Sequence, residues 1–396
     1  MNLKRSNLII IALLIFLAGK EPLMAQTSAY HSIVFPYEIN QRHVLTSGGL
    51  ISAVPDAFSS LQMNPGGLAF FNRPALGINY TFKIANYRID NTMTGQSVNE
   101  NIFKNEPGLV TAVMPISVLE QKIVLAIAGQ HLNAPEFELW EEFNHEPGMD
   151  LRHERDGNVW NVNLALGVQL SKNLGIGLNV SQWLGSWAWQ EWLDDQTLGH
   201  GTFQYPGTGF ALGFLYQWSK LNLGLTLYSP FTLMTSSDTR NEFWFRYSTN
   251  HLEQNFHGAV RLGMNYALTS RTQLGLDYRW QGRSLMKGRI MHETSSYAYR
   301  DTIGMSHQLS LAVGQDVNAG SLKLPLFIGY QMTFMPVTRP GFFGDYQRII
   351  IDQKNNLRHT LMAGAQLLYN AYGFYLSTRW DYGSVHIWNQ MTPPWS

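Results

Sequence analysis

Arginine side chains recur on one side of several alternating segments, where they could bind an anionic ligand. They are Arg261, Arg279, Arg358 and Arg379. A guanidinium group can bind a carboxylate through two parallel hydrogen bonds, so Arg261, Arg279 and Arg379 are candidate ligand contacts. The same side also carries His257, Asp277, Asp316 and Asp381. Because buried charges need partners, pairing of Arg261 and Arg279 with such acids in an anchoring role is the alternative, and both interpretations stay open.

An acidic stretch at 141–156 is the second place where chemistry is conceivable. It holds Glu141, Glu142, His145, Glu146, Asp150, His153, Glu154 and Asp156. A divalent cation would suit such oxygen ligands, but the spacing is not that of an EF-hand, and His145 and His153 do not form a helical zinc pair. The sequence therefore predicts a solvated loop and no metal site.

The composition argues against an enzyme and against a nucleic-acid partner. The chain has no Cys, which excludes thiol catalysis and Cys-ligated clusters. No Gly-x-Ser-x-Gly, His-Glu-x-x-His or Walker-type motif occurs. The 28 basic and 28 acidic residues balance, so no basic surface for nucleic acid is implied. We predict no catalytic residues and no cofactor.

The first 25 residues have the organisation of a secretory signal peptide. Lys4 and Arg5 precede an apolar run from Leu8 to Leu17, and Ala25 offers a small residue for cleavage. As a helix this run rises about 15 Å, half of a hydrocarbon core of about 30 Å. We predict a signal peptide at 1–25, with a retained membrane anchor as the alternative.

Most of the remaining chain alternates with period two, the pattern of β-strands with one apolar face. One example is Trp160, Val162, Leu164, Leu166, Val168 and Leu170, which alternate with small or polar residues. Thirteen segments behave in this way: 74–86, 107–116, 121–131, 157–170, 173–187, 205–218, 220–235, 254–268, 272–282, 306–317, 322–335, 357–368 and 372–382. Since membrane barrels have an even number of strands, Val385 to Trp388 should supply a short fourteenth.

The lengths of the connections distinguish a membrane barrel from a soluble β-sandwich or propeller. Connections of a few residues alternate with long polar links, at 87–106, 132–156, 188–204, 236–253, 283–305 and 337–356. Short periplasmic turns and long external loops are typical of outer-membrane barrels. Aromatic residues near strand ends, at Trp183, Trp187, Trp189, Trp192, Trp218 and 243–245, suggest interfacial girdles. We predict an all-β, transmembrane antiparallel β-barrel of about 14 strands over 74–396.

Residues 26–73 lack this alternation and carry a short motif. Gly48-Gly49-Leu50, Ala53, Asp56 and Ala57 lead to Asn64-Pro65-Gly66-Gly67-Leu68, followed by Phe70 and Phe71. The motif resembles the outer-membrane transport family of long-chain fatty acid and toluene/xylene channels, in which Ala is commoner at the position of Gly66. The segment Gly224 to Pro230 is similar to the end of a mid-barrel strand in that family.

The resemblance implies that 26–73 is an N-terminal plug inside a barrel of the cell outer membrane of a Gram-negative bacterium. Asn64, Pro65, Gly66 and Gly67 would form its hinge and gate, or a plain turn before the first strand. Phe70 and Phe71 would line a ligand pocket. The implied function is passive transport of hydrophobic compounds, a fatty acid or an aromatic hydrocarbon, with exit sideways through the wall.

The same type of barrel is also used by accessory proteins of the Bacteroidetes type IX secretion machinery, and this is the alternative function. The expected partners are a hydrophobic small molecule and the lipopolysaccharide and lipid of the outer membrane. Secretion-system proteins join them only under the alternative.

Overall fold

The structure is a computed structural model, and it describes most of the chain after residue 51. The described residues are 52–55, 57–90, 97–118, 121–133, 139–143, 149–193, 196–204, 206–241, 248–282, 284–292, 295–303, 305–319, 322–334, 348–351, 357–369, 372–382 and 387–390. The predicted signal peptide and the predicted plug residues 26–51 lie outside them. Within the described residues, none of the helices is long and apolar enough to cross a membrane.

The described residues are almost entirely β-structure after two short helices. Helix α1 spans Ala57–Met63, and a 3-10 helix spans Pro65–Phe70. The strands are β1 Ala75–Asp90, β2 Ser97–Val118, β3 Gln121–Asn133, β4 Leu139–Phe143, β5 Met149–Gln169, β6 Leu174–Leu193, β7 Gln196–Gln204, β8 Gly207–Trp218, β9 Leu221–Tyr228, β10 Phe231–Asn241, β11 Ser248–Phe256, β12 Ala259–Ala267, β13 Thr272–Gln281, β14 Ser284–His292, β15 Ser295–Ile303, β16 Ser306–Ala319, β17 Leu322–Phe334, β18 Arg348–Ile351, β19 Leu357–Tyr369, β20 Tyr372–Tyr382 and β21 Ile387–Gln390.

Thirteen of these strands pair in an uninterrupted antiparallel ladder, which we call the main ladder. Its order is β1, β2, β3, β5, β6, β8, β9, β12, β13, β16, β17, β19 and β20. The thirteen predicted segments correspond to these strands, and the predicted antiparallel all-β fold is confirmed. Between the described residues of β1 and β20, no hydrogen-bonded pairing is present.

The predicted fourteenth strand differs from the expectation in its partner. The tail forms β21, but it pairs with β18 in a separate two-stranded sheet. Strand β18 reads Arg348-Ile-Ile-Ile351 and lies inside a stretch predicted to be a polar link. Three consecutive isoleucines have a high β-propensity, which gives the tail an apolar partner that the link assignment overlooked.

Several predicted polar links are in fact continued strands. β6 extends to Leu193, and hairpins are formed by β6 with β7, β10 with β11 and β14 with β15. In β10 the prediction failed because the extension is polar on both faces, as Thr235-Ser-Ser-Asp-Thr-Arg-Asn241 shows. A strand without an apolar face keeps its hydrogen-bonded ladder but shows no period-two signal.

Strands in the middle of the chain are interrupted at matching positions. The breaks separate β7 from β8, β9 from β10, β11 from β12 and β13 from β14. Pro206 and Pro230 lie at two of them and lack the N–H that a ladder needs. At the other two, Gly282 N donates to Gly258 O over 3.1 Å. We call this series of interruptions the break line.

The polarity of the sheet is inverted relative to a soluble protein. On the outward face, Leu76, Ile78 and Leu376 are at least 66% exposed, as are many other apolar side chains to a smaller extent. The opposite, inner face buries polar side chains, including Gln130, Asn161, Asn163, Ser310, Gln331 and Thr360. A sheet of this kind is stable where its outward face meets hydrocarbon rather than water.

The girdle prediction is wrong for Trp183 and stays a prediction for Trp218. Trp218, at a turn, is 62% exposed on the outward face, beside Tyr216 and Tyr266. Trp183 is instead buried on the inner face, where it pairs in register with Asn161. It occupies an odd position in β6, the side opposite Leu178 and Leu184, so strict alternation already placed it inside. The side chains of Trp187, Trp189 and Trp192 and residues 243–245 lie outside the described part.

Two leucines on the outward face of the same stretch provide a test of the solvent around the sheet. Leu164 lies five residues before the end of β5, and Leu170 lies in the turn that follows, with exposures of 58% and 61%. We expect Leu164→Arg to cost about 2–4 kcal/mol and Leu170→Arg at most about 1 kcal/mol, because the cost of a charge in hydrocarbon depends on depth. The measurement is the urea dependence of unfolding in lipid vesicles. Two equal and small effects would show that the outward face contacts water.

Candidate functional site

The described residues between 52 and 73, which we call the inner segment, pack against the inner face of the sheet. The sequence explains the turn at their centre. Pro65 opens the 3-10 helix with a φ that suits a first helical turn, and Asn64 caps it by accepting a hydrogen bond from Gly66 N over 3.1 Å. At the other end, Phe71 N donates to Leu68 O over 3.0 Å.

The side chain of Asn64 also joins the inner segment to itself and to the sheet. Its Nδ2 donates to Ser52 O over 2.5 Å and to Phe214 O of β8 over 2.9 Å. Asn64 is 1% exposed. One amide group therefore satisfies three backbone groups, which neither a carboxylate nor an aliphatic side chain of this size could do.

Three glycines form the surface on which this turn rests. Gly167, Gly177 and Gly213 are neighbours in register across β5, β6 and β8. A β-carbon at Gly177 would lie 2.1 Å from Pro65 O, and one at Gly213 would lie 2.3 Å from Asn64 Oδ1. Contacts this short are sterically forbidden, so only glycine permits the backbone of the turn to touch the backbone of the sheet.

Two further glycines contact the start of the inner segment. Gly224 of β9 and Gly263 of β12 are paired in register. A β-carbon at Gly224 would lie 1.8 Å from Ser52 O, and one at Gly263 would lie 2.6 Å from Ser52 Cβ. Together with Gly167, Gly177 and Gly213 these residues form what we call the glycine seat.

A buried ion pair holds the start of the inner segment beside this glycine pair. Arg261 Nε donates to Asp277 Oδ1 over 2.7 Å, and the two side chains are 1% and 2% exposed. The second carboxylate oxygen of Asp277 accepts a hydrogen bond from Ser52 N over 2.9 Å. Arg261 Nη1 lies 3.0 Å from Met63 Sδ. These contacts favour the anchoring interpretation of Arg261, and its predicted ligand role stays a prediction.

Other polar groups of the sheet bind the end of helix α1. Met63 O accepts hydrogen bonds from Thr226 Oγ1 over 2.8 Å and from Tyr228 OH over 2.9 Å. Gln62 Nε2 donates to Gln130 Oε1 over 3.1 Å. The helix is thus held by directional contacts from two different strands, β9 and β3.

Apolar packing completes the contact on the side of the first strands. Leu61 and Leu68 are fully buried in a cluster with Leu109, Val113, Val124, Ala126, Ala128 and Ala165. Phe71, a predicted pocket residue, packs against this cluster, and Phe70 is half-buried near Gly175. At the end of the inner segment, Lys122 Nζ donates hydrogen bonds to Ala69 O over 3.1 Å and to the side chain of Asn72.

An aromatic stack lies on the inner face beyond the seat, and the sequence did not suggest it. The rings of Trp183 and Phe231 are parallel with centroids 6.5 Å apart, and those of Phe231 and Phe256 are 4.9 Å apart. All three are at least 92% buried. Phe231 follows Pro230 at the break line and pairs in register with Phe256. This pairing brings the rings together, and the alternation of the sequence does not reveal it.

A chain of amides lies beside this stack. Asn163 Nδ2 donates to the side chain of Asn161, and Asn179 Nδ2 donates to Asn163 Oδ1 over 3.1 Å. Asn161 is the register partner of Trp183. The described inner face therefore offers aromatic rings and neutral dipoles next to each other.

The other candidate residues are placed as follows. Arg279 is buried and donates from Nη2 to Gln281 Oε1 over 2.7 Å. Asp316 is exposed near the end of β16, and His257 is exposed at the break line. The side chains of Arg358, Arg379 and Asp381 and those of the stretch 141–156 lie outside the described part. Among the described side chains, no group of three or more His, Asp and Glu is placed to hold a metal ion.

Solved structures share this arrangement of strands. The toluene transporter TodX of Pseudomonas putida aligns with 82% of this chain and 91% of its own, at 12% identity and a TM-score of 0.52. A deltaS2 mutant of the TodX monoaromatic hydrocarbon channel aligns with 82% and 90%, at 11% identity and a TM-score of 0.54. A FadL homologue of Pseudomonas aeruginosa aligns with 86% and 97%, at 10% identity and a TM-score of 0.44.

The chain has the fold of the TodX channel. The resemblance of its sequence to the fatty acid and toluene channels is confirmed at the level of the fold. No protein-family model and no curated protein matches the sequence, so the likeness lies in the backbone arrangement and not in extended sequence similarity.

The glycine seat leads to a stability test with a matched control. We expect Gly177→Ala to cost about 1–3 kcal/mol, because its new methyl group collides with the backbone at Pro65. Gly129→Ala is the control, since the nearest atom is a ring carbon of Trp160 at 3.8 Å, and its expected effect is within about 0.5 kcal/mol. Denaturant unfolding of the reconstituted protein measures both. Equal stabilities of the two variants would refute the close contact.

Proposed function

We propose that the protein is an outer-membrane channel that passes hydrophobic small molecules passively, with residues 26–73 as its plug. The observation that carries the proposal is the seating of the inner segment, backbone against backbone, on glycines of a sheet whose outward face is apolar. The solved structures that share the fold are described as a toluene transporter and a monoaromatic hydrocarbon channel, which supports this function and supports a role other than catalysis.

The inverted polarity of the sheet supports the membrane location. Apolar side chains on the outward face suit lipid, and the long links at the far end of the sheet suit the external surface. Lipopolysaccharide and lipid are then the surroundings of the protein. A leaflet of lipopolysaccharide excludes apolar solutes, and an open aqueous pore would give them no favourable binding site. Apolar solutes therefore need a route through a protein to cross this membrane.

The contacts of the inner segment suit a plug that can move. Its polar contacts with the sheet include hydrogen bonds to Thr226, Tyr228 and Gln130, each worth about 1 kcal/mol net. Ligand binding that breaks a few of them has enough energy to shift the segment. The proposed hinge consists of Asn64, Pro65, Gly66 and Gly67, because these residues form the turn that rests on the glycine seat.

The proposed ligand contacts are aromatic. Phe231, Phe256 and Trp183 form a buried apolar surface on the inner face, and Phe70 and Phe71 lie at the plug. Such a surface suits an acyl chain or an aromatic ring. A carboxylate head group would need Arg279 or Arg379, because Arg261 is occupied by Asp277. Exit sideways through the wall, away from the periplasmic water, belongs to the same proposal.

Uptake by intact cells tests the transport proposal. Cells with a complete lipopolysaccharide leaflet but no fatty acid channel of their own would express the protein and receive labelled oleate or toluene. We expect uptake that depends on the protein and persists when the proton gradient is collapsed. Phe231→Ala should lower it several-fold, whereas Phe210→Ala, on the outward face of β8, should not. Absence of uptake, together with purification in a large envelope complex, would favour the secretion-accessory alternative.

A separate variant tests the plug. Asn64→Ala removes three hydrogen bonds, two within the inner segment and one to the sheet. At about 1 kcal/mol each, we expect the docked segment to lose about 3 kcal/mol of stabilising free energy. Ion conductance in planar bilayers should rise, and thermal stability should fall. Asn173→Ala, at an exposed turn of the same sheet, is the control. If Asn64→Ala leaves uptake, conductance and stability unchanged, the plug proposal is wrong.

A further inference from the structure

The outward face carries an apolar groove that the transport proposal does not use. It crosses β8, β9, β12 and β13 and encloses about 500 Å³. Two rows of side chains in register form its sides. One row is Phe214, Leu225, Leu262 and Tyr278, and the other is Tyr216, Leu223, Met264 and Leu276.

The floor of the groove is the bare backbone of the glycine seat. Gly224 and Gly263 lie between the two rows, and Ser52 covers their opposite side. With a strand spacing of about 4.8 Å, four strands give a groove about 14 Å long. The two rows are two residues apart along each strand, about 6.8 Å, so the gap between them suits a single extended chain of methylene groups.

One end of this groove is polar. Tyr278 lines the groove, and its hydroxyl group is hydrogen-bonded to His307 Nδ1 of the next strand over 2.8 Å. The two rings are inclined by 30° with centroids 6.2 Å apart. When Nδ1 accepts the tyrosine proton, the proton of a neutral imidazole sits on Nε2. An N–H group on an apolar face that meets lipid needs an acceptor, because an unpaired donor there is costly.

We propose that this groove binds a lipid A molecule, with one acyl chain between the two rows and a phosphate on His307. An ionised phosphate oxygen is the strongest acceptor that a membrane offers to an N–H donor. The site rests on the outer-membrane location given above, but it takes no part in the transport route, which lies on the inner face.

The position of the polar end selects this lipid over a glycerophospholipid of the inner leaflet. Strand β16 runs from Ser306 to Ala319, where a short connection leads to β17, and His307 is its second residue. The histidine therefore lies towards the end of the sheet with the long links. With the short turns in the periplasm, that end belongs to the external leaflet, where lipid A carries the phosphates.

A second pair of the same chemistry provides a matched control. Tyr330 OH is hydrogen-bonded to His359 Nδ1 over 2.5 Å, and the rings are inclined by 28° with centroids 5.9 Å apart. This pair also lies on the outward face, on β17 and β19. Neither residue lines the groove. This second pair therefore has the same polar groups as Tyr278 and His307 but lacks the apolar groove beside them.

Native mass spectrometry of delipidated protein in detergent, titrated with lipid A, tests the site. We expect one saturable lipid A per barrel. The double variant Tyr278→Phe with His307→Phe should bind about tenfold more weakly, the factor expected for losing one hydrogen bond from the imidazole to a charged phosphate. The double variant Tyr330→Phe with His359→Phe should bind as the unchanged protein does.

Three results would overturn the site: no saturable binding, equal losses in the two double variants, or equal binding of phosphatidylethanolamine. Uptake of oleate by the Tyr278 and His307 double variant separates the two proposals, because it should be unchanged. Loss of lipid A binding with normal uptake would leave the channel in place. Absence of uptake with normal lipid A binding would refute the channel alone.

Discussion

Contact between two backbones, that of the inner segment and that of the sheet, is the constraint on which the remaining features depend. Because no β-carbon stands at Gly177 or Gly213, the turn at Pro65 reaches the strands closely enough for the side chain of Asn64 to bind a carbonyl group of β8. Helix α1 then lies where Met63 O meets two hydroxyl groups. A single methyl group in the seat would displace these contacts together, since they share one rigid turn.

The ion pair of Arg261 with Asp277 is better understood as a positioning device than as a source of stability. Removing two charges from water is expensive, and their attraction often does no more than offset that cost. What the pair achieves is geometric: one carboxylate oxygen is held by the guanidinium group, and the other is left to receive Ser52 N. The start of the inner segment is thereby fixed beside Gly224 and Gly263.

Sequence reasoning recovered the parts of the fold that have a period. Alternation located thirteen strands and the inner side of Arg261 and Asp277, because an apolar outward face marks every second residue. Alternation failed where both faces of a strand are polar, as at the end of β10. It also failed for contacts between residues that are far apart in the chain. The roles of Gly177 and Gly213 depend on a turn more than 100 residues away in the chain, and small residues look alike on an inner face. The stack of Phe231 and Phe256 was missed because each follows or precedes a break.

The inner segment precedes every strand that holds it, and this has a consequence for the order of folding. Ser52 meets Asp277 across 225 residues, and contacts of such separation form slowly because the chain between them must first be ordered. The seat needs β5, β6, β8, β9, β12 and β13 side by side. The early part of the chain therefore waits for strands synthesised long after it, and it docks as one of the last steps of assembly. Until then Leu61 and Leu68, which are fully buried in the folded protein, lack their apolar partners.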